Sequence, residues 1–236
     1  MRNLCNYSLY MYQLDFTINT KKIQINKTKD MEIMTQLESL KKIAKKKLKN
    51  NDPAHDFEHV MRVYRNAEKL CNTETGNKKL VLSSVLLHDI IKNKNQKNSA
   101  EKSAKLAEKI LKDNDFSSDE ISIVSNAIRE HSFSKGKIPS TPEGKILQDA
   151  DRLDAIGAIG LARVFSFSGS HNRSFYDPND PFSKNRNLND GKWALDHFYK
   201  KLLKLEAKMN TKTGKLLAKN RTKILKNFLK EIRQEI

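Results

Sequence analysis

The sequence predicts an all-α fold, and two observations carry that prediction. Only 8 Gly and 5 Pro occur in 236 residues, too few for the frequent turns of β-rich or doubly wound architectures. Apolar residues recur at helical spacing over about 34–49, 57–73, 78–92, 98–112, 118–131, 142–165, 192–210 and 213–235, with no internal repeat. The length and the 37% hydrophobic content suffice for one domain with a buried core.

Taken in order, residues 1–30 differ from the rest. Phe16 to Thr20 and Ile23 to Asn26 alternate like a short strand, and the first strong helix begins only after Met31. The segment reads as an appendage, or as an extension upstream of a start at Met31 or Met34, with residues 31–236 as the domain proper. The helix at 57 opens behind Asp56, a natural N-cap. In the helix at 78–92, Val81, Leu82, Val85, His88, Asp89 and Lys92 share one side. The helix at 118–131 runs a stripe of Ile121, Val124 and Ile128 into His131. The helix at 142–165 carries Leu147, Ala150, Asp151, Asp154, Ala158 and Leu161 on one stripe. Residues 166–191 are irregular and hold Asp177-Pro178 and Asp180-Pro181; a loop of that length in a compact domain is usually functional or disordered. Leu202, Leu205 and Met209, then Leu216, Leu217, Ile224, Leu225 and Phe228, define a C-terminal helical pair.

Several function classes fall away. No Gly-x-Gly-x-x-Gly or Gly-Lys-Ser/Thr occurs, so phosphate is not held by a P-loop or a dinucleotide fingerprint. Cys5 and Cys71 form no Cys-x-x-Cys unit, which suits a reducing, cytoplasmic setting. No apolar run approaches a membrane span. The net charge of +17 is concentrated at the C-terminal end, where residues 192–236 hold 13 Lys/Arg against 4 Asp/Glu. Around an apolar stripe, those lysines read as a solvated face, with attraction of nucleotides or nucleic acid as the competing reading.

The chemistry lies with the histidines. His55, His59, His88 and His131 fall on or beside helical segments, and His88, Asp89, Asp151 and Asp154 sit where apolar neighbours should be buried. A buried carboxylate must be paired or coordinate a metal. Singly, His59 reads equally as a core histidine, Asp89 as a partner of Lys92, and Asp151 as a partner of Arg152 or Arg62. Three helices burying polar groups for unrelated reasons is a poor joint explanation. A nitrogen and oxygen donor set suits Mn²⁺, Fe²⁺, Zn²⁺ or Ni²⁺.

His55-Asp-Phe-Glu-His59 with Arg62, Leu86-Leu-His88-Asp89 with Lys92, and Asp149-Ala-Asp151-Arg-Leu-Asp154-Ala-Ile-Gly-Ala-Ile-Gly160 resemble the ordered motifs of the HD-domain metal-dependent phosphohydrolase superfamily. Glu130-His131-Ser132, His197-Phe198, Lys201-Leu-Leu203 and Arg221 extend the likeness toward nucleotide pyrophosphohydrolase-like HD proteins of bacteria and archaea, over about 35–235. The resemblance implies a single HD-domain helical bundle. It implies His59, His88, Asp89 and Asp151 as metal ligands and Lys92 near a substrate phosphate. Asp149 and Asp154 flank the expected ligand, Asp154 as a partner of Arg62 or Arg152. His55 stands four residues before His59, where related cyclic-nucleotide phosphodiesterases place a proton-donating histidine; its competing reading is a helix-entry residue beside Asp56.

The expected activity is divalent-metal-dependent hydrolysis of nucleotides, NTP or dNTP, releasing pyrophosphate or phosphate. The ion would be manganese, with magnesium, cobalt, nickel, iron or zinc as other occupants. Asp89 would hold the attacking water or bridge a second ion, and His55 or His131 would protonate the leaving oxygen. His131, in the last turn of its helix, is expected to favour the imidazolium form. Lys92, Arg173, Tyr176, Arg186 and Lys201 are the expected substrate-binding residues, with 166–191 as a flap. Other readings are a phosphomonoesterase or cyclic-nucleotide phosphodiesterase of the same superfamily, a basic nucleic-acid-binding module, and a degenerate scaffold for a partner.

Overall fold

The computed structural model describes residues 27–49, 56–91, 98–132 and 136–236. His55, Lys92 and the strand-like alternation at 16–26 lie outside the described residues. Residues 27–47 are helical (α1), and within that stretch the chain divides into two compact units, Met1–Ser39 and Leu40–Ile236. In the first, Thr35 Oγ1 donates to the Met31 carbonyl at 2.9 Å, as exposed helical threonines do.

In the second unit most helices start on caps written into the sequence. Asp56 accepts from His59 N to begin α2 (Phe57–Cys71), and Asn77 accepts from Leu80 N to begin α3 (Lys78–Leu87). After α4 (Ser99–Lys112), Ser117 and Glu120 close a reciprocal capping box on α5 (Ser118–Glu130). Thr141 with Pro142 opens α6 (Pro142–Asp154). Then come α7 (Gly157–Ser170), α8 (Ala194–Lys200), two 3₁₀ turns (Leu202–Lys204 and Glu206–Lys208) and α9 (Lys212–Glu235), capped by Thr211. The all-α expectation holds.

Helix α3 is buried from Leu80 to Leu87 on every side, which requires a central position. Accordingly α2, α5 and α6 pack around it, α4 lies on α5, and α7 lies on α9. Phe198 of α8, fully buried, stacks on Phe228 of α9 at 5.6 Å and approaches Phe165 of α7 at 6.2 Å, tying the last three helices together.

The structure departs from the sequence expectation in four places: the helix expected over 78–92 ends at Leu87, with His88 as its C-cap and Asp89 beyond it, and three more differences follow. The helix expected over 142–165 is two helices: α6 ends at Asp154, Ile156 is extended, and Gly157 takes φ +79°, a conformation glycine adopts without a Cβ penalty. The irregular stretch expected at 166–191 begins only after Ser170 and runs to Trp193, with one parallel bridge between Ser174 and Trp193. The helix expected over 192–210 breaks at Lys201, and its buried Leu202, Leu205 and Met209 ride on 3₁₀ turns. Spacings of three and four serve a 3₁₀ turn nearly as well as an α-helix, so periodicity could not separate them.

Candidate metal centre

Four helices of the bundle deliver the site. His59 stands in the first turn of α2, and its own backbone N–H is the donor that Asp56 caps at 2.8 Å. His88 and His131 are the C-cap residues of α3 and α5. Each lies 2.7 Å through its Nδ1 from the carbonyl three residues back, Val85 O and Ile128 O. A carbonyl only accepts, so both Nδ1 atoms carry the proton. Each ring therefore satisfies a last-turn carbonyl and presents the Nε2 lone pair beyond the helix end.

His59 Nδ1 is held by Asp154 Oδ2 at 2.7 Å, and Asp154 is held in turn by Arg62 Nε at 2.8 Å and Arg163 Nη1 at 2.7 Å. Burial would raise the Asp154 carboxyl, but the hydrogen bonds from His59 and Arg62 outweigh it and hold the group below its ordinary range. A continuous helix through 165 would place Arg163 about 13 Å along the axis from Asp154. The break at Gly157 brings them into contact, which is why the sequence pattern showed Arg62 as a partner of Asp154 and missed Arg163.

The three Nε2 atoms surround one carboxylate. Asp89 Oδ2 lies 3.9 Å from His59 Nε2 and 3.6 Å from His88 Nε2, and Asp89 Oδ1 lies 3.8 Å from His131 Nε2. Asp151 stands at the rim, its Oδ1 3.6 Å from His59 Nε2 and its side chain 31% exposed. The rings of His88 and His131 meet edge to face at 5.1 Å. His88 Nε2 is buried and has no hydrogen-bond partner among the described residues. Ligand atoms of His59, His88 and Asp89 all lie within 4.8 Å of one another. Donors bound at about 2.0–2.2 Å stand at most about 4.4 Å apart, so these side chains fit a divalent ion with only small movements.

Burial pulls the imidazoles of both His59 and His131 below their ordinary range. Neutral imidazole is the form a metal ligand needs. For His131 this corrects the expected imidazolium: a last-turn dipole contributes ~0.3–1 kcal/mol, whereas full burial can move a pKa by several units at ~1.4 kcal/mol each.

The other expected residues separate into two groups. Arg173 and Lys201 line a cavity of about 220 Å³ together with Arg163, Phe167 and His197. Arg173 donates there to neutral acceptors, Ser168 Oγ and the carbonyls of Asp190 and Val164. Arg186 is engaged elsewhere. Its guanidinium grips the buried Asp196 at 2.6 and 2.9 Å and reaches Asp177 at 3.2 Å, which makes it a clamp of the 171–193 segment. Tyr176 is half-buried in that segment and outside the cavity lining. Asp149, the other flanking carboxylate, accepts from Asn210 and Thr211 and so pins the start of α9.

A model described as the HD domain matches residues 56–156. YpgQ of Bacillus subtilis, an uncharacterized protein, is 30% identical over 215 residues, covering 87% of this chain and 96% of that protein. The chain belongs to the HD superfamily. It is a metal-dependent phosphohydrolase by that membership, and among the described residues His59, His88 and Asp89 form a cluster that can hold the divalent ion. Its fold is similar to that of an HD-superfamily hydrolase from Bacillus thuringiensis, with 32% identity, a TM-score of 0.69, and coverage of 86% of this chain and 97% of the other. It is equally similar to Bacillus subtilis YpgQ in a crystal structure in complex with ADP, with 27% identity, a TM-score of 0.70, and coverage of 87% and 97%. No helix among the described residues of this HD protein is long and apolar enough to cross a membrane.

Proposed function

We propose that this HD hydrolase acts on nucleotides, NTP or dNTP, releasing pyrophosphate or phosphate, with manganese as the ion. The observation that carries the reading is the Asp89 carboxylate ringed by the Nε2 atoms of His59, His88 and His131. His59, His88, Asp89 and Asp151 would hold the ion. Bound there, it would supply Lewis acidity and lower the pKa of water.

The chain's own groups supply the rest. Asp89 orients the attacking water, and His131 Nε2, kept neutral by burial, accepts its proton. Arg173 and Lys201 offer cations to the phosphates from the cavity they share with Arg163 and His197. Lys92 near a phosphate and His55 as proton donor to the leaving oxygen complete the proposed set. The ADP complex of YpgQ supports a nucleotide ligand at this fold.

The test is a panel of NTPs, dNTPs, NMPs and cyclic nucleotides with Mn²⁺, Mg²⁺, Co²⁺ or Ni²⁺, scoring phosphate and pyrophosphate separately. Turnover of triphosphates is expected. Turnover confined to monophosphates would make the protein a phosphomonoesterase, and turnover confined to cyclic nucleotides a phosphodiesterase.

A further inference from the structure

On another face of α6, a second cavity of about 500 Å³ is lined by Lys137, Lys145, Arg152, Lys208 and Lys215, with Asn210 and no acidic side chain among its lining. The cations come from four parts of the chain: the segment before α6, α6 itself, the second 3₁₀ turn and the first turn of α9. Arg152 is 7% exposed. Its Nη1 donates to the Lys208 carbonyl, and its Nε is buried without a hydrogen-bond partner among the described residues.

Asp149 and Asp151 both supply counter-charge to Arg152, but Asp149 is largely committed elsewhere. Asp149 Oδ1 lies 3.9 Å from Arg152 Nη1 and already accepts from Asn210 N and Nδ2, both at 2.9 Å, while Asp149 Oδ2 accepts from Thr211 N and Oγ1, both at 2.8 Å. A buried cation is costly unless paired and hydrogen-bonded, and the exposed Lys137, Lys208 and Lys215 and half-buried Lys145 leave the cavity beside it positive. An anion with several acceptor oxygens can pair with the Arg152 guanidinium and with the flexible ammonium groups of Lys137, Lys145 and Lys215 at once.

We propose that this cavity is a second anion site, distinct from the metal centre, that binds a phosphorylated small molecule. The inference does not depend on which substrate the metal centre hydrolyses. A concave site with a buried guanidinium in its lining, of a size common for small-molecule pockets, suits a compact polyphosphate better than a nucleic-acid strand. A strand would need stacking platforms. Of the aromatic residues after position 191, Phe198 is fully buried and stacked on Phe228, which leaves few faces for a base.

The full-length chain, stripped of metal with EDTA, is titrated calorimetrically with inorganic pyrophosphate and with ADP. A saturable site that persists in Arg173→Ala with Lys201→Ala is expected. Lys145→Gln with Lys215→Gln should weaken it by about tenfold or more without changing the thermal melt, and Arg152→Lys, which keeps the charge without the fork, should weaken it less. Asp89→Asn should leave it intact. Failure of both probes to bind, undiminished affinity in the double lysine variant, or loss of binding in Asp89→Asn would each overturn the proposal. A short single-stranded RNA that binds more tightly than pyrophosphate, and is weakened equally by Lys219→Gln with Lys226→Gln, would instead assign the surface to nucleic acid.

Discussion

Arg163 Nη1 meets Asp154 Oδ2 at 2.7 Å across the break between α6 and α7, and the same Asp154 oxygen receives His59 Nδ1 at 2.7 Å. One carboxylate thus joins the cavity lined by Arg163, Arg173 and Lys201 to a candidate metal ligand. Asp154→Asn keeps the shape but offers His59 Nδ1 a weaker, neutral partner. Metal affinity should fall by about 10- to 100-fold with the fold retained, read by metal titration alongside circular dichroism. Unchanged affinity would show that Asp154 does not orient His59.

Asp89→Ala removes the carboxylate that three Nε2 atoms surround. Tight metal binding and hydrolysis should both be lost. Elemental analysis of the folded variant checks this, and wild-type metal content would place the ion elsewhere.

Arg173 and Arg186 lie in one segment but should fail differently. Arg173→Ala with Lys201→Ala should raise KM or lower kcat while metal content stays constant. Arg186→Ala leaves the buried Asp196 without its guanidinium and should cost about 2–3 kcal/mol, appearing as a lower Tm and faster proteolysis within 171–193. A pure KM effect from Arg186→Ala, with Tm unchanged, would support the role expected from sequence.

Gly157→Ala forces a side chain into φ +79° with its Cβ 3.1 Å from Arg221 Cβ and Cγ. The backbone penalty alone is about 1–2 kcal/mol. Because the break at Gly157 is what brings Arg163 to Asp154, the variant should also lose metal affinity, which separates it from a merely destabilised protein. A drop in Tm with wild-type metal binding would uncouple the break from the site.

The core of the site was legible because its side chains obey a simple rule. His88, Asp89 and Asp154 are buried at positions where three-and-four spacing calls for apolar residues, and burial of polar groups needs a reason; Asp151, read on the same stripe, stands at the rim instead. What escaped depends on where helices stop. Periodicity runs through Gly157 without interruption, so neither the turn to α7 nor the meeting of Arg163 with Asp154 could be read from it. His131 escaped in its charge state, since depth of burial is a tertiary property that its place in a last turn does not disclose. The pairing of Arg186 escaped because its partner, Asp196, stands on a helix that the loop itself folds against.

His88 and His131 each lean on a carbonyl of the helix they terminate. Their aim is therefore set by main-chain atoms three residues away, which every sequence possesses, and not by neighbouring side chains that mutation can alter. The residues matched as an HD domain stop at 156, while the cavity holding Arg173 and Lys201 is built largely from what comes after. The two stretches are nonetheless tied, because Arg163 of the later one holds Asp154, which in turn holds His59 of the earlier one. The side chains around Arg173 and Lys201 can therefore change without disturbing His59 only where Arg163 and the break at Gly157 are kept.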